Sequence, residues 1–122
     1  MSARDSLSEC FVALAHPYRR VVLYYLREHE GASLDALAAC VTGWAASGPG
    51  TGQTADAETV RTELHHVHLP TLVDAGLLTY DDEALSARLD ALSPTADRLL
   101  SVALDADTGE RSVDELLAHP NE

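Results

Sequence analysis

Lysine is absent from this chain: its eight basic side chains are all arginine, they face 20 Asp+Glu, and the formal net charge at pH 7 is -12 over 122 residues. Such a balance excludes the ordinary mode of nucleic-acid binding, in which a basic surface displaces the counterions of the phosphates. Cysteine is scarce as well. Cys10 and Cys40 both fall within apolar helical patterns, where a thiol behaves as a small hydrophobe, so buried free thiols are expected rather than a disulfide. Long apolar runs are missing, and none approaches the ~20 residues that span a bilayer. The stretch from Met1 to Glu9 carries Arg4, Asp5 and Glu9 and does not read as a secretion signal. A cytoplasmic chain with no membrane partner is expected.

Catalytic signatures are missing too. No phosphate-cradling glycine loop precedes a helix, no nucleophile motif is present, and no paired carboxylates sit on a defined scaffold. No enzyme activity and no cofactor are expected. His65 and His68 have the i, i+3 spacing that lets two imidazoles share an ion, but no cysteine or carboxylate completes the set, so no metal is expected.

What the chain does have is helical periodicity. With 46% hydrophobic residues its length suits one core, read as one domain over 1–105 followed by an acidic tail, 106–122, holding a short helix opened by Ser112-Val113-Asp114-Glu115. Leu7, Cys10, Phe11 and Leu14 share one face of a first helix. Pro17 suits the first position of a second, whose inner stripe is Tyr18, Val21, Val22, Tyr25 and Leu26, with Arg20, Tyr24 and Arg27 opposite and Gly31 as a stop. Ser33 caps a third, with Leu34, Leu37, Ala38 and Val41 inward and Trp44 close to the same stripe. The glycine-rich run from Ser47 to Gly52 reads as a mobile surface loop.

A fourth helix starts near Asp56 and Glu58 and carries Val60, Leu64 and Val67, then Leu69, Leu72 and Val73. Those two sets cannot share a face of one straight helix, and Pro70 removes a hydrogen bond at their junction, so a kink or phase change is expected near His68 to Pro70. After Ala75-Gly76, Leu77 to Tyr80 and the alternation Leu85, Ala87, Leu89, Ala91 predict a β-hairpin tipped by Asp81-Asp82-Glu83. Ser93-Pro94 opens a last long helix with Ala96, Leu99, Leu100, Ala103 and Leu104 inward. The fold class that follows is mainly α with a small β-hairpin, a winged helix-turn-helix.

Two stretches carry a family resemblance. Ala13-Leu14-Ala15-His16-Pro17-Tyr18-Arg19-Arg20-Val21-Val22-Leu23 resembles the opening helix boundary of ArsR-type regulators, and His68-Leu69-Pro70-Thr71-Leu72-Val73-Asp74-Ala75-Gly76-Leu77-Leu78 resembles their recognition-helix ending before the wing. With Trp44 and the His-Leu-Pro step, residues 7 to 92 look most like a group of winged-helix proteins from haloarchaea. The acidic, lysine-free composition resembles the surfaces of such salt-adapted proteins, for which molar salt cuts the Debye length to about 3 Å. The paired cysteines of metal-sensing ArsR proteins are missing.

The resemblance implies a homodimeric transcriptional regulator binding double-stranded DNA. The expected DNA contacts are Arg61, Thr62, His65 and His66 on the fourth helix and Arg88 on the wing, with Arg19 and Arg20 at the backbone or paired with surface acids. Leu99, Leu100, Ala103 and Leu104 are the expected dimer contacts, helped by the first helix. Three features oppose DNA: the long turn between the third and fourth helices, the acids Asp56 and Glu58 at the groove end of the fourth, and the acidic wing tip. The competing reading is a winged-helix protein-interaction module without DNA binding.

Overall fold

The computed structural model describes residues 3–47 and 56–118, with side chains over 7–46 and 56–108. The expected glycine-rich loop falls almost wholly in 48–55, outside the described residues.

Four of the helices begin where a side chain accepts one of their first unpaired N–H groups. His16 Nδ1 accepts the Tyr18 N–H at 3.0 Å, and Pro17 opens α2 (Pro17–Glu28) beyond α1 (Ala3–Leu14). The Ser33 hydroxyl accepts the Ala36 N–H at the start of α3 (Leu34–Ser47), and Asp56 accepts the N–H and hydroxyl of Thr59 before α4 (Ala57–Glu63). A π turn, Leu64–His68, joins α4 to α5 (Leu69–Asp74). Gly76 then takes the left-handed φ of +78° that lets Leu77 N–H reach back to Leu72 O. The chain turns into β2 (Leu78–Asp81), β3 (Ser86–Leu89) and the long α6 (Pro94–Ala118), capped by Ser93. A short strand, β1 (Ala32–Ser33), pairs with β3, so the hairpin becomes a three-stranded antiparallel sheet in the order β1-β3-β2. The fold is mainly α with a small β wing, in a winged helix-turn-helix arrangement. Among the described residues no helix is long and apolar enough to cross a membrane.

One core joins α2, α3, α4, α5, the sheet and α6 through Val22, Leu23, Leu37, Val41, Val60, Leu64, Leu69, Leu72, Leu78 and Leu100. α1 contributes Cys10 and Ala13, whereas Leu7 and Phe11, expected on the same inner face, are exposed. Both cysteines are free; Cys10 is buried, Cys40 is half-buried, and burial pushes both thiols up.

α6 differs most from expectation. No separate tail helix starts at Ser112, because the backbone stays helical through Ala118. The reason its first half docks so firmly lies on α2, whose outer face is not a solvated surface. Arg20 holds Asp107 bidentately at 2.8 and 3.2 Å, Tyr24 donates to Asp107, and Arg27 donates to Asp97 and Ser101. Burial alone would raise the Asp107 carboxyl, but the bonds from Arg20 and Tyr24 outweigh it and hold it below the usual carboxylate range. Asp107 lies beyond the expected domain boundary at 105 and is nevertheless joined to the domain by this network.

Candidate nucleic-acid interface

The π turn decides which side chains face outward. In a regular helix a residue advances about 100°, so Val60 and Leu64 would be followed inward by Val67. Here Leu69 N–H bonds to Leu64 O, five residues back, and the extra residue brings Leu64, His68, Leu69 and Leu72 onto one inner stripe. Val67 and Val73, expected inside, are exposed. His68 is the one polar residue buried in this stripe, at 4% exposure.

Its surroundings explain how an imidazole is tolerated there. Arg19 donates Nη1 to His68 Nδ1 at 3.1 Å, Nε to Ala13 O and Nη2 to Val12 O. A guanidinium has no acceptor, so Nδ1 of His68 carries no proton and the ring is the neutral Nε2–H tautomer. The His16 ring packs against it with centroids 4.3 Å apart, and Tyr18 meets it edge-on at 5.7 Å. Burial, followed by the charges of His16 and Arg19, pushes the His68 pKa down to about 4.

That shift has a consequence for stability. The folded value lies below the ordinary 6.5, so between those limits the unfolded chain binds the extra proton and stability falls as pH drops. Carried in full, the effect is about 3 kcal/mol. Urea unfolding of wild type and His68→Gln at pH 7 and pH 4.5 should show the wild type losing more stability by an amount of that order; equal losses would contradict the assignment.

Arg19 and Arg20, both half-buried, are engaged within the fold. Together they bond the carbonyls of Val12, Ala13 and Leu14, the last of α1, which have no partner within that helix and carry its negative dipole end. The first expected pair of phosphate contacts is a C-terminal cap for α1.

The remaining expected contacts lie on two surfaces. On α4 and the π turn, Thr62 and His66 are exposed, and Arg61 is half-exposed with its Nε on Asp35 of α3. His65 Nδ1 lies 2.7 Å from the Tyr80 hydroxyl on β2, and its ring meets His66 edge-on at 4.7 Å. Arg61, Thr62, His65, His66 and Tyr80 therefore form a continuous strip from the helix to the wing. Tyr80 was missed from sequence because its partner depends on the phase of the π turn. His68 turns to Arg19 while His65 turns to Tyr80, so these two imidazoles do not share a site. Among the described residues no group of three or more His, Cys, Asp or Glu could hold a metal ion.

Arg88 stands apart. It is opposite Thr79 on the outer face of the hairpin, over a groove of about 590 Å³ lined also by Ser33, Asp81 and Ser86, whereas Tyr80 and its partner Ala87 face the other side. The field over the strip is acidic: Asp56, Glu58 and Glu63 flank α4, and Asp81, Asp82 and Glu83 form the exposed wing tip. Asp81 also accepts the N–H groups of Glu83 and Ala84, bonds that hold its carboxyl below the usual range.

A family model, described as a domain of unknown function, DUF7344, matches residues 11–87. The chain belongs to the DUF7344 family. The matched span carries the Arg19–His68 pair, α4, the π turn and most of the wing, and it stops before α6, so the DUF7344 domain holds the whole strip from Arg61 to Tyr80. No curated protein and no solved structure matches the chain.

The expected dimer contacts are divided by the fold. Leu100 is 2% exposed and belongs to the core, which rules it out as a surface contact; Leu99, Ala103 and Leu104 are half-buried. Among the described residues the exposed large apolar side chains of α1 and α6 are instead Leu7, Phe11 and Val12 on α1 and Val102 on α6. α1 and α6 pack on each other.

Proposed function

We propose that this DUF7344 protein is a sequence-specific DNA-binding regulator that acts as a homodimer in a salt-rich cytoplasm. The observation that carries the reading is the outward strip of α4 and the π turn. It offers a guanidinium, a hydroxyl and two imidazoles on a helix braced against α3 by the Arg61–Asp35 pair and against the wing by the His65–Tyr80 bond. Arg61 suits guanine O6 and N7, Thr62 and His66 suit base edges or phosphate, and His65 is oriented by Tyr80. Arg88 reaches phosphate only if DNA also passes the outer face of the sheet. The resemblance to ArsR-type and haloarchaeal winged-helix proteins supports the same reading.

Dimerisation fits the exposed apolar side chains of α1 and α6. Two copies joined there would present two strips, as a palindromic site requires. The acids beside the strip favour a second reading, a winged-helix module that binds protein and not DNA.

Capture of genomic fragments by the full chain in molar KCl separates the two. Enrichment of one palindromic sequence is the expected result. Recovery of no sequence over background would overturn the DNA reading and leave the interaction module.

A further inference from the structure

Two residues compete for the inner position of the π turn. Val67 is apolar and follows Val60 and Leu64 at i+7 and i+3, as a regular helix would have it, yet it is 49% exposed while the imidazole of His68 is 4% exposed. Hydrophobicity alone selects the opposite arrangement. The extra residue has to sit somewhere between Leu64 and Leu69, because both leucines are fully buried. Moving it by one position would bring Val67 in, put His68 out, and turn the neighbouring His65 and His66 by as much as about 100°.

Two observations select His68. Arg19 is fixed by Val12 O and Ala13 O and has one more donor pointing at the turn, which Val67 cannot satisfy. The His16 and Tyr18 rings complete an aromatic seat for an imidazole. Pro70, which supplies no N–H, and the Thr71 hydroxyl, which bonds to Val67 O at 2.7 Å, are compatible with either arrangement.

The geometry points to His68 as a positioning residue: its bond from Arg19 fixes where the π turn falls, and so fixes the rotation at which His65 and His66 are offered to a DNA groove. The second half of this statement rests on the DNA reading above. The first half does not, since the His65–Tyr80 contact reports the rotation without any ligand.

The test compares His68→Gln, which keeps an acceptor, with His68→Ala, which removes it, by NMR of the full chain in molar KCl. Wild type and His68→Gln should show ring contacts between His65 and Tyr80, with Val67 methyls free of core contacts. His68→Ala should lose the ring contact and gain contacts from Val67 to core leucines. Its affinity for the site captured from genomic DNA should fall by about tenfold, the scale of one base contact. A folded His68→Ala chain with the His65–Tyr80 contact intact would overturn the proposal. Should that variant fail to fold, Arg19→Lys, which keeps the charge and loses the planar fork, is read by the same two signals. Failure of the wild type to bind any DNA would remove the DNA reading alone.

Discussion

Leu100→Glu is expected to unfold the domain, and Phe11→Glu to leave it folded while abolishing the proposed dimer. Both residues lie on apolar faces, and only their surroundings separate them. Leu100 is 2% exposed in the core shared by α2 and α3. A carboxylate there has no partner, and the lost burial adds about 2–5 kcal/mol to the cost of the stranded charge. A domain of this size has about 5–15 kcal/mol in all. Phe11 is 56% exposed, close to Leu7 and Val12 on α1, so a charge there is solvated in the single chain and buried only if a second copy covers the face. Light scattering and circular dichroism in molar KCl read both outcomes. Wild type should have twice the mass of one chain, and Phe11→Glu the mass of one chain with an unchanged helical spectrum. A single-chain mass for the wild type, or a Phe11→Glu dimer, would contradict the interface.

The cap at Ser33, the helix starts near Asp56 and at Ser93-Pro94, Pro17 at the head of α2, and the Gly76 turn were legible because each is a local rule acting within a few residues. The hairpin was legible from its alternation. β1 was not, since two residues carry no periodicity and Ala32 is held by Ala87, far along the chain. The phase conflict between Val60/Leu64 and Leu69/Leu72 was visible in the sequence; its resolution was not. Choosing His68 over Val67 needs Arg19, which lies 49 positions away and is itself placed by the end of α1.

Arginine was the hardest residue type to assign. Arg19, Arg20 and Arg27 fall on a helix face that looks solvated, and each proves to bond another helix: the first two cap α1, and Arg20 and Arg27 hold α6 through Asp107 and Asp97. In a chain without lysine, arginine serves both structure and surface, and only long-range pairing tells the two apart. Of the seven expected DNA contacts, Arg61, Thr62, His65 and His66 share the surface of α4 and the π turn, Arg88 lies on another, and Arg19 and Arg20 are half-buried and bonded to the end of α1.

Salt sets the largest effect expected of this protein. A basic regulator neutralising about four phosphates, at a slope of about -0.9 each, loses between three and four decades of affinity for a tenfold rise in salt. Here the strip is flanked by Asp56, Glu58 and Glu63, the wing tip is Asp81-Asp82-Glu83, and Arg61 is already paired with Asp35. Approach of a phosphate backbone to that surface requires cations between the two sets of anions, so binding takes up cations and offsets their release from DNA. On the proposed DNA reading, molar salt screens the long-range repulsion within about 3 Å and leaves base contacts by Arg61, Thr62 and His65 to carry the affinity. The decisive measurement is a titration of the captured site from low to molar KCl, with circular dichroism confirming the fold at each point. A flat or rising plot of log affinity against log salt is the predicted result; a steep fall with the protein folded throughout, or no specific binding at any salt, would contradict the account.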